Sequence, residues 1–224
     1  MSSKTKYSGL IRALIVSNII SIVLFCLRVL AAHNTRYWFL IWNLVLAWLP
    51  VVWAYILTKR LKTHSFREPV QIFLFLLWLG FLPNSFYVIS DLVHLTSTGE
   101  VGLLFDAVLF MSFIWNALVA GFISMYWIHK AVLRRRSSLF SAIFMQIVIV
   151  VASFAIYLGR TLRWNTWDVA VNPFGILFDV SERVINPLAH PQVIVTTATF
   201  SLLIGSIYFV IWELLQTSSV KPTK

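Results

Sequence analysis

The chain has 224 residues, of which 59% are hydrophobic and 12% are charged, and its mean hydropathy is +0.84. A soluble domain of this size could not bury so much apolar surface, so the composition predicts an integral membrane protein. The net charge of +10 does not indicate a nucleic-acid partner, because basic residues of multi-span proteins gather in cytoplasmic loops. The single cysteine, Cys26, lies inside the first apolar run and excludes an internal disulfide.

Six apolar stretches are long enough to cross a bilayer as helices, which takes about 20 residues each. They predict an all-α protein that forms one membrane domain over residues 1–224. The predicted spans are residues 11–32, 37–57, 70–89, 103–128, 139–158 and 193–212. The first stretch is of full span length and lacks a clear small-residue cleavage site, so we expect it to remain as an anchor.

The distribution of basic residues predicts the orientation. With the N-terminus inside, 13 of the 18 Lys and Arg residues lie at inner ends of the spans, whereas six of the eight acidic residues lie on the outer side. The positive-inside rule therefore predicts that both termini face the cytoplasm. The five outer basic residues are Arg28, Arg36, Arg160, Arg163 and Arg183.

The third span contains the first polar motif, LPNSFYVISDLVHL at residues 82–95. Pro83 lies about two thirds of the way along the span and should free backbone carbonyls in the preceding turn. Four polar residues follow at spacings of 3, 4 and 3, which places them on one wall of an α-helix. They are Asn84, Tyr87, Asp91 and His94.

Asp91 and His94 are one helical turn apart, so they are our candidate catalytic pair. The alternative is that Asp91 only fixes an outer arginine and His94 only lies at the interface. Other histidines on the outer side, His33 and His190, show no spacing that indicates a metal site, and we predict none.

The fifth span ends in the second motif, YLGRTLRWNTWDVAVNP at residues 157–173. If the helix continues, Arg160, Arg163, Trp164 and Trp167 form one stripe, with Asn165 and Asp168 beside it. An outer arginine pair runs against the positive-inside bias. Two causes remain open: pairing with Asp91, Asp106 or Asp168 across the bundle, or recognition of an anionic group such as a lipid phosphate.

The connection 159–192 is the one long loop, and Pro173, Pro187 and Pro191 interrupt it. Between the prolines, an apolar helical face opposes a polar one, which predicts a short amphipathic helix at the outer interface. A cap packed over the ends of the spans is the equally weighted alternative. The apolar face comprises Phe174, Leu177, Phe178, Val184 and Ile185, and the polar one Asp179, Glu182 and Arg183.

The two motifs carry a family resemblance. The pattern FLPN-x-x-Y-x-I-x-DL-x-HL at residues 81–95 and the pattern YLGR-x-LRWN-x-WD at residues 157–168 resemble a bacterial multi-pass membrane family, domain of unknown function 1361. The resemblance covers about spans two to six. It implies a six-span protein of bacterial cytoplasmic membranes, and it carries no activity, substrate or catalytic residue.

Both motifs follow odd-numbered spans, so they should emerge on the same, outer side. Our leading hypothesis is that this cluster binds, and modifies or presents, an anionic lipid headgroup, a lipid-linked precursor or an envelope glycan. In an enzyme, Asp91 or His94 would be the general base, and Asn84 and Tyr87 would orient the substrate. The substrate-binding candidates are Asn84, Tyr87, Arg160, Arg163, Trp164, Asn165, Trp167 and Asp168.

Two other functions fit the sequence. A helix broken at Pro83 and Asn84 would suit a small-solute transporter, although the inner halves of the spans are poor in polar residues. A non-catalytic partner of another membrane protein would use the polar cluster as internal glue. No nucleophile elbow, zinc motif or phosphate-binding glycine loop is present, so enzyme activity stays an open hypothesis. The sequence does not name a cofactor.

Overall fold

Helices account for almost all of the structure. The computed structural model describes residues 3–164 and 166–217, with the backbone alone at 3–8, 170 and 217. Eight α-helices are present in these ranges: α1 (Ser3–Ala32), α2 (Phe39–Arg60), α3 (Pro69–Tyr87), α4 (Leu103–Leu133), α5 (Ser138–Thr161), α6 (Asp168–Val171), α7 (Pro173–Ile185) and α8 (Pro191–Thr217). Two 3-10 helices, Val88–His94 and Pro187–Ala189, join them.

Six of these helices are long and apolar enough to cross a membrane, which confirms the predicted all-α multi-pass architecture. The candidate spans are Gly9–Ala32, Phe39–Arg60, Pro69–His94, Leu103–Leu133, Ser138–Thr161 and Pro191–Gln216. The inside and outside assignment stays a prediction. The outer end of a span is therefore defined as the end that the charge distribution predicts to be outside.

Two spans contain an internal proline, and a hydroxyl group from another segment bonds to the backbone of the turn before each one. Pro50 lies within α2, and the Ala47 carbonyl in the preceding turn accepts a hydrogen bond of 3.1 Å from Ser85 Oγ on α3. Pro83 lies within α3, and the Gly80 carbonyl accepts one of 3.4 Å from Thr166 Oγ1. Both hydrogen bonds therefore join a backbone carbonyl near a proline to a side chain of another segment.

Small and polar residues hold the spans together. A Cβ atom on Gly121 of α4 would lie only 2.7 Å from Ser85 Cβ on α3. Because glycine has no side chain, the two helices can approach each other closely here. Asn18 on α1 donates to Asn116 Oδ1 on α4 at 3.2 Å and accepts from Trp48 Nε1 on α2 at 3.1 Å. These amides join three spans.

The predicted amphipathic helix is α7, which starts with Pro173 after the capping side chain of Asn172. Its apolar residues are exposed, Phe174 at 82% and Phe178 at 69%, whereas Arg183 is buried. The helix therefore packs on the protein through its polar face. If α7 is the alternative, a cap packed over the ends of the spans, it does not cover them with its apolar face.

Candidate functional site

Asp91 is buried at the outer end of the third span, on the 3-10 helix Val88–His94. Asn43 near the start of α2 donates a hydrogen bond of 2.7 Å to Asp91 Oδ2. His94 is exposed, and its ring contacts the edge of Phe39 at a centroid distance of 5.3 Å. The sequence spacing predicts an α-helix here, but the segment is a 3-10 helix. A 3-10 helix has three residues per turn, so Asp91 and His94 still lie on the same side of it.

Arg160 brings the fifth span to the same place. It lies half-buried in the last turn of α5, close enough for its charge to act on both Asp91 and His94. Within residues 3–164 and 166–217, however, its side chain forms no ion pair and no hydrogen bond. The expected closed pair between Arg160 and an outer carboxylate is therefore not found in the described part of the chain.

The two motifs pack directly on each other through side chains that the sequence predicts to be ligand contacts. Asn84 Nδ2 donates to Thr166 Oγ1 at 3.2 Å and to the Phe81 carbonyl at 3.1 Å. The ring of Tyr87 packs against Gly159 of α5; a Cβ atom placed on Gly159 would lie 3.5 Å from this ring. Asn84 and Tyr87 thus form the joint between α3 and the segment that follows α5.

The predicted stripe through the second motif does not form, because α5 ends at Thr161. Arg163 adopts a left-handed backbone conformation with φ of 62°, and its side chain is exposed. The chain therefore turns before Trp164 and Trp167, and the four residues do not lie on one helical face. Trp167 is exposed, and Asn165 lies outside the described residues.

Trp164 connects the motif to α7. Its indole Nε1 donates to Asp179 Oδ2 at 2.7 Å, and the same carboxylate accepts from Arg183 Nη1 through Oδ1 at 3.0 Å. Arg183 also pairs with Glu182 at 3.3 Å. Burial acts to lower the pKa of Arg183, but a hydrogen bond with Tyr157 and the nearby Asp179 and Glu182 charges raise it. The polar face of α7 is thereby fixed to the end of α5.

A second outer cluster surrounds Arg28, which is fully buried on α1. Its Nε lies 3.4 Å from Asp106 Oδ1, its Nη2 lies 2.9 Å from Glu100 Oε2, and its guanidinium lies 4.6 Å from the centre of the Tyr37 ring. Of the three carboxylates considered as partners of Arg160 or Arg163, Asp106 instead pairs with Arg28. The sequence contains a sign of this pair, because Arg28 lies inside the first predicted span and Asp106 lies inside the fourth. Opposite charges inside apolar spans are expected to pair with each other.

Arg28 binds its partners tightly, so this second cluster resembles a structural clamp. Asn34 Oδ1 accepts from Arg28 Nη1 at 2.6 Å. Burial and the Asp106 carboxylate raise the pKa of Tyr37, which keeps its hydroxyl protonated. The Asn34 and Arg28 side chains lower the pKa of Glu100. By contrast, Arg160 offers a cation without an ion-pair partner among the described residues.

These features define a class: a six-span α-helical membrane protein with a polar cluster at one end of its third and fifth spans. Among the described residues, no group of three His, Cys, Asp or Glu could hold a metal ion. A family model described as "Protein of unknown function (DUF1361)" matches residues 42–207, which include both motifs, and the chain belongs to this family. No curated protein and no solved structure matches the chain.

Proposed function

We propose that the outer ends of α3 and α5 bind the anionic group of a lipid headgroup or of a lipid-linked precursor. The single observation that carries the proposal is the state of Arg160: half-buried, beside Asp91 and His94, and without an ion-pair partner among the described residues. A guanidinium in this setting suits phosphate, which it can bind through two parallel hydrogen bonds. The proposal includes one membrane domain in a cytoplasmic membrane, with both termini inside.

The roles of the remaining candidates follow from their exposure. Asp91 is 2% exposed and held by Asn43, so it acts on the site through its charge. His94 is exposed on the same side of the 3-10 helix, so it is the group that can contact a ligand and accept a proton from it. Arg163 and Trp167, also exposed, supply a second cation and an aromatic surface at the level of the headgroups.

The lipid would reach this site along the surface that α7 borders. In this proposal, the exposed apolar face of α7, which lies in the chain between α5 and α8, contacts the lipids at the outer interface. Transport is not favoured by the contacts inside the bundle, since the amides of Asn18 and Asn116 bond to each other. A partner without a ligand site is the alternative that the experiment distinguishes.

The test measures binding of a polyprenyl phosphate to the purified full chain by native mass spectrometry. We expect Arg160→Gln to weaken the apparent affinity about tenfold, as loss of one charge-assisted contact implies. The matched control is Arg36→Gln, which removes an exposed cation from the same end of the molecule. Equal affinity in wild type and Arg160→Gln would refute the site. A loss of folded yield in Arg160→Gln, without any binding by the wild type, would support the partner function instead.

A further inference from the structure

The opposite end of the molecule carries a basic pocket that the proposed function does not use. The ends of α2 and α4 enclose a cavity of about 290 Å³. Three of its six lining residues are cationic and none is acidic; the lining consists of Thr58, Leu61, Lys62, Ala131, Arg134 and Arg135. Such a lining is complementary to an anion.

Arg135 builds the pocket rather than serving as its free cation. Its Nη2 donates to the Leu61 carbonyl and, at 2.9 Å, to the His64 carbonyl. Leu61 is the capping residue of α2, so this guanidinium satisfies one carbonyl group at the helix end and one in the following loop. The α2–α3 loop is thereby joined to the end of α4, and the pocket lies between them.

Lys62 and Arg134 are left to bind a ligand. Both side chains are exposed, and in residues 3–164 and 166–217 neither forms an ion pair or a side-chain hydrogen bond. The acid closest in sequence, Glu68, accepts from Ser65 N at 2.9 Å and does not line the pocket. The hydrogen bond from the Ser65 backbone lowers the pKa of Glu68, so this residue holds its negative charge within its own loop.

We propose that this pocket binds the phosphate of an anionic phospholipid headgroup. Two cations of different geometry, Lys62 and Arg134, would contact the phosphate oxygens, and Thr58 and Leu61 lie on the wall beside them. The pocket lies at the ends of two membrane-spanning helices, where basic pockets meet the lipid headgroups. A soluble phosphate ester has the same chemistry and is the other source that the test separates.

The test compares two double variants of equal charge. Lys62→Gln with Arg134→Gln removes both pocket cations, whereas Lys59→Gln with Arg67→Gln removes one lysine and one arginine that lie at the same end but outside the pocket. Binding of phosphatidylglycerol to the full chain in neutral detergent is measured by native mass spectrometry. We expect an affinity about 30-fold weaker in the pocket variant and within about twofold of wild type in the control.

Two further ligands are measured: phosphatidylcholine as a lipid without net charge, and glycerol 1-phosphate as a soluble competitor. Weak binding of phosphatidylcholine supports selection of the anion. Competition by millimolar glycerol 1-phosphate would assign the pocket to soluble phosphate esters, and lack of competition would assign it to the lipid. Equal losses in both double variants, or none in either, would overturn the pocket. The two double variants are also measured in an Arg160→Gln background. The loss of affinity in the Lys62→Gln, Arg134→Gln variant should be the same there, because the pocket and the outer site are separate.

Discussion

Asn43 on α2 donates a hydrogen bond of 2.7 Å to the buried carboxylate of Asp91 at the end of the third span. This contact joins the first motif to a residue that neither motif contains. We predict that Asn43→Ala destabilises the protein by about 1–3 kcal/mol, since it removes a donor from a buried acceptor. Unfolding in mixed micelles measures the change.

A double-mutant cycle with Asp91→Ala, which removes the acceptor, separates the contact from other effects of the two substitutions. The coupling free energy should be at least about 0.5 kcal/mol, as for groups in direct contact. Fully additive effects would show that Asn43 and Asp91 do not stabilise each other.

The Arg28 clamp predicts unequal effects at its two acids. Asp106→Ala should cost about 1.5–3 kcal/mol of stability, because the fully buried Arg28 loses one charged hydrogen-bond partner while it keeps Glu100. Glu100→Gln should have a much smaller effect, since Glu100 is partly exposed and solvent screens it. Comparison of the two unfolding free energies at neutral pH checks this order, and a larger loss for Glu100→Gln would contradict the clamp.

Glu100 also predicts a pH dependence. Its pKa in the folded protein is lowered by Asn34 and Arg28, so its contribution to stability is present above the ordinary glutamate pKa of about 4.3 and is lost as the pH falls through the lower value. The difference in thermal midpoint between wild type and Glu100→Gln should therefore shrink on acidification from neutral pH. A difference that grows instead would mean that the paired form is not the charged carboxylate.

Gly121 should not tolerate a methyl group. A Cβ there would lie 2.7 Å from Ser85 Cβ and 3.0 Å from Phe86 Cζ, so Gly121→Ala must push α3 and α4 apart, at a cost of about 1–3 kcal/mol. Gly205→Ala on α8 is the matched control, because its nearest contact would be an ordinary 3.9 Å. The midpoints of thermal unfolding of the two variants are compared, and Gly121→Ala should have the lower one. Equal midpoints would contradict the close approach of α3 and α4.

The exposed apolar face of α7 should be in contact with lipid. A fluorescent label at Phe178→Cys, in a Cys26→Ala background, should emit at shorter wavelength and be quenched by brominated lipids. The same label at Ser97→Cys, in the exposed loop before α4, should behave as in water. Quenching at Ser97 as strong as at Phe178 would show that α7 does not lie in the membrane.

The sequence by itself determined the architecture of this protein. Span-length apolar runs have few alternatives, because a bilayer interior forces every backbone polar group into a helix. The family resemblance also followed from the motifs, and the match over residues 42–207 confirmed it. The amphipathic helix α7 was predictable for a related reason: its prolines set its limits and its apolar residues repeat with the helical period.

The tertiary structure decided the partners of the polar residues. Helical periodicity cannot show that α5 ends before Arg163, nor that Asp106 pairs with Arg28 and Asp91 with Asn43. Each contact joins residues far apart in the chain, and a carboxylate accepts any donor that packing brings within reach. The pocket at Lys62 and Arg134 also depends on tertiary contacts. The sequence shows two separate basic segments, after α2 and at the end of α4, and they form one pocket because Arg135 binds the backbone after α2.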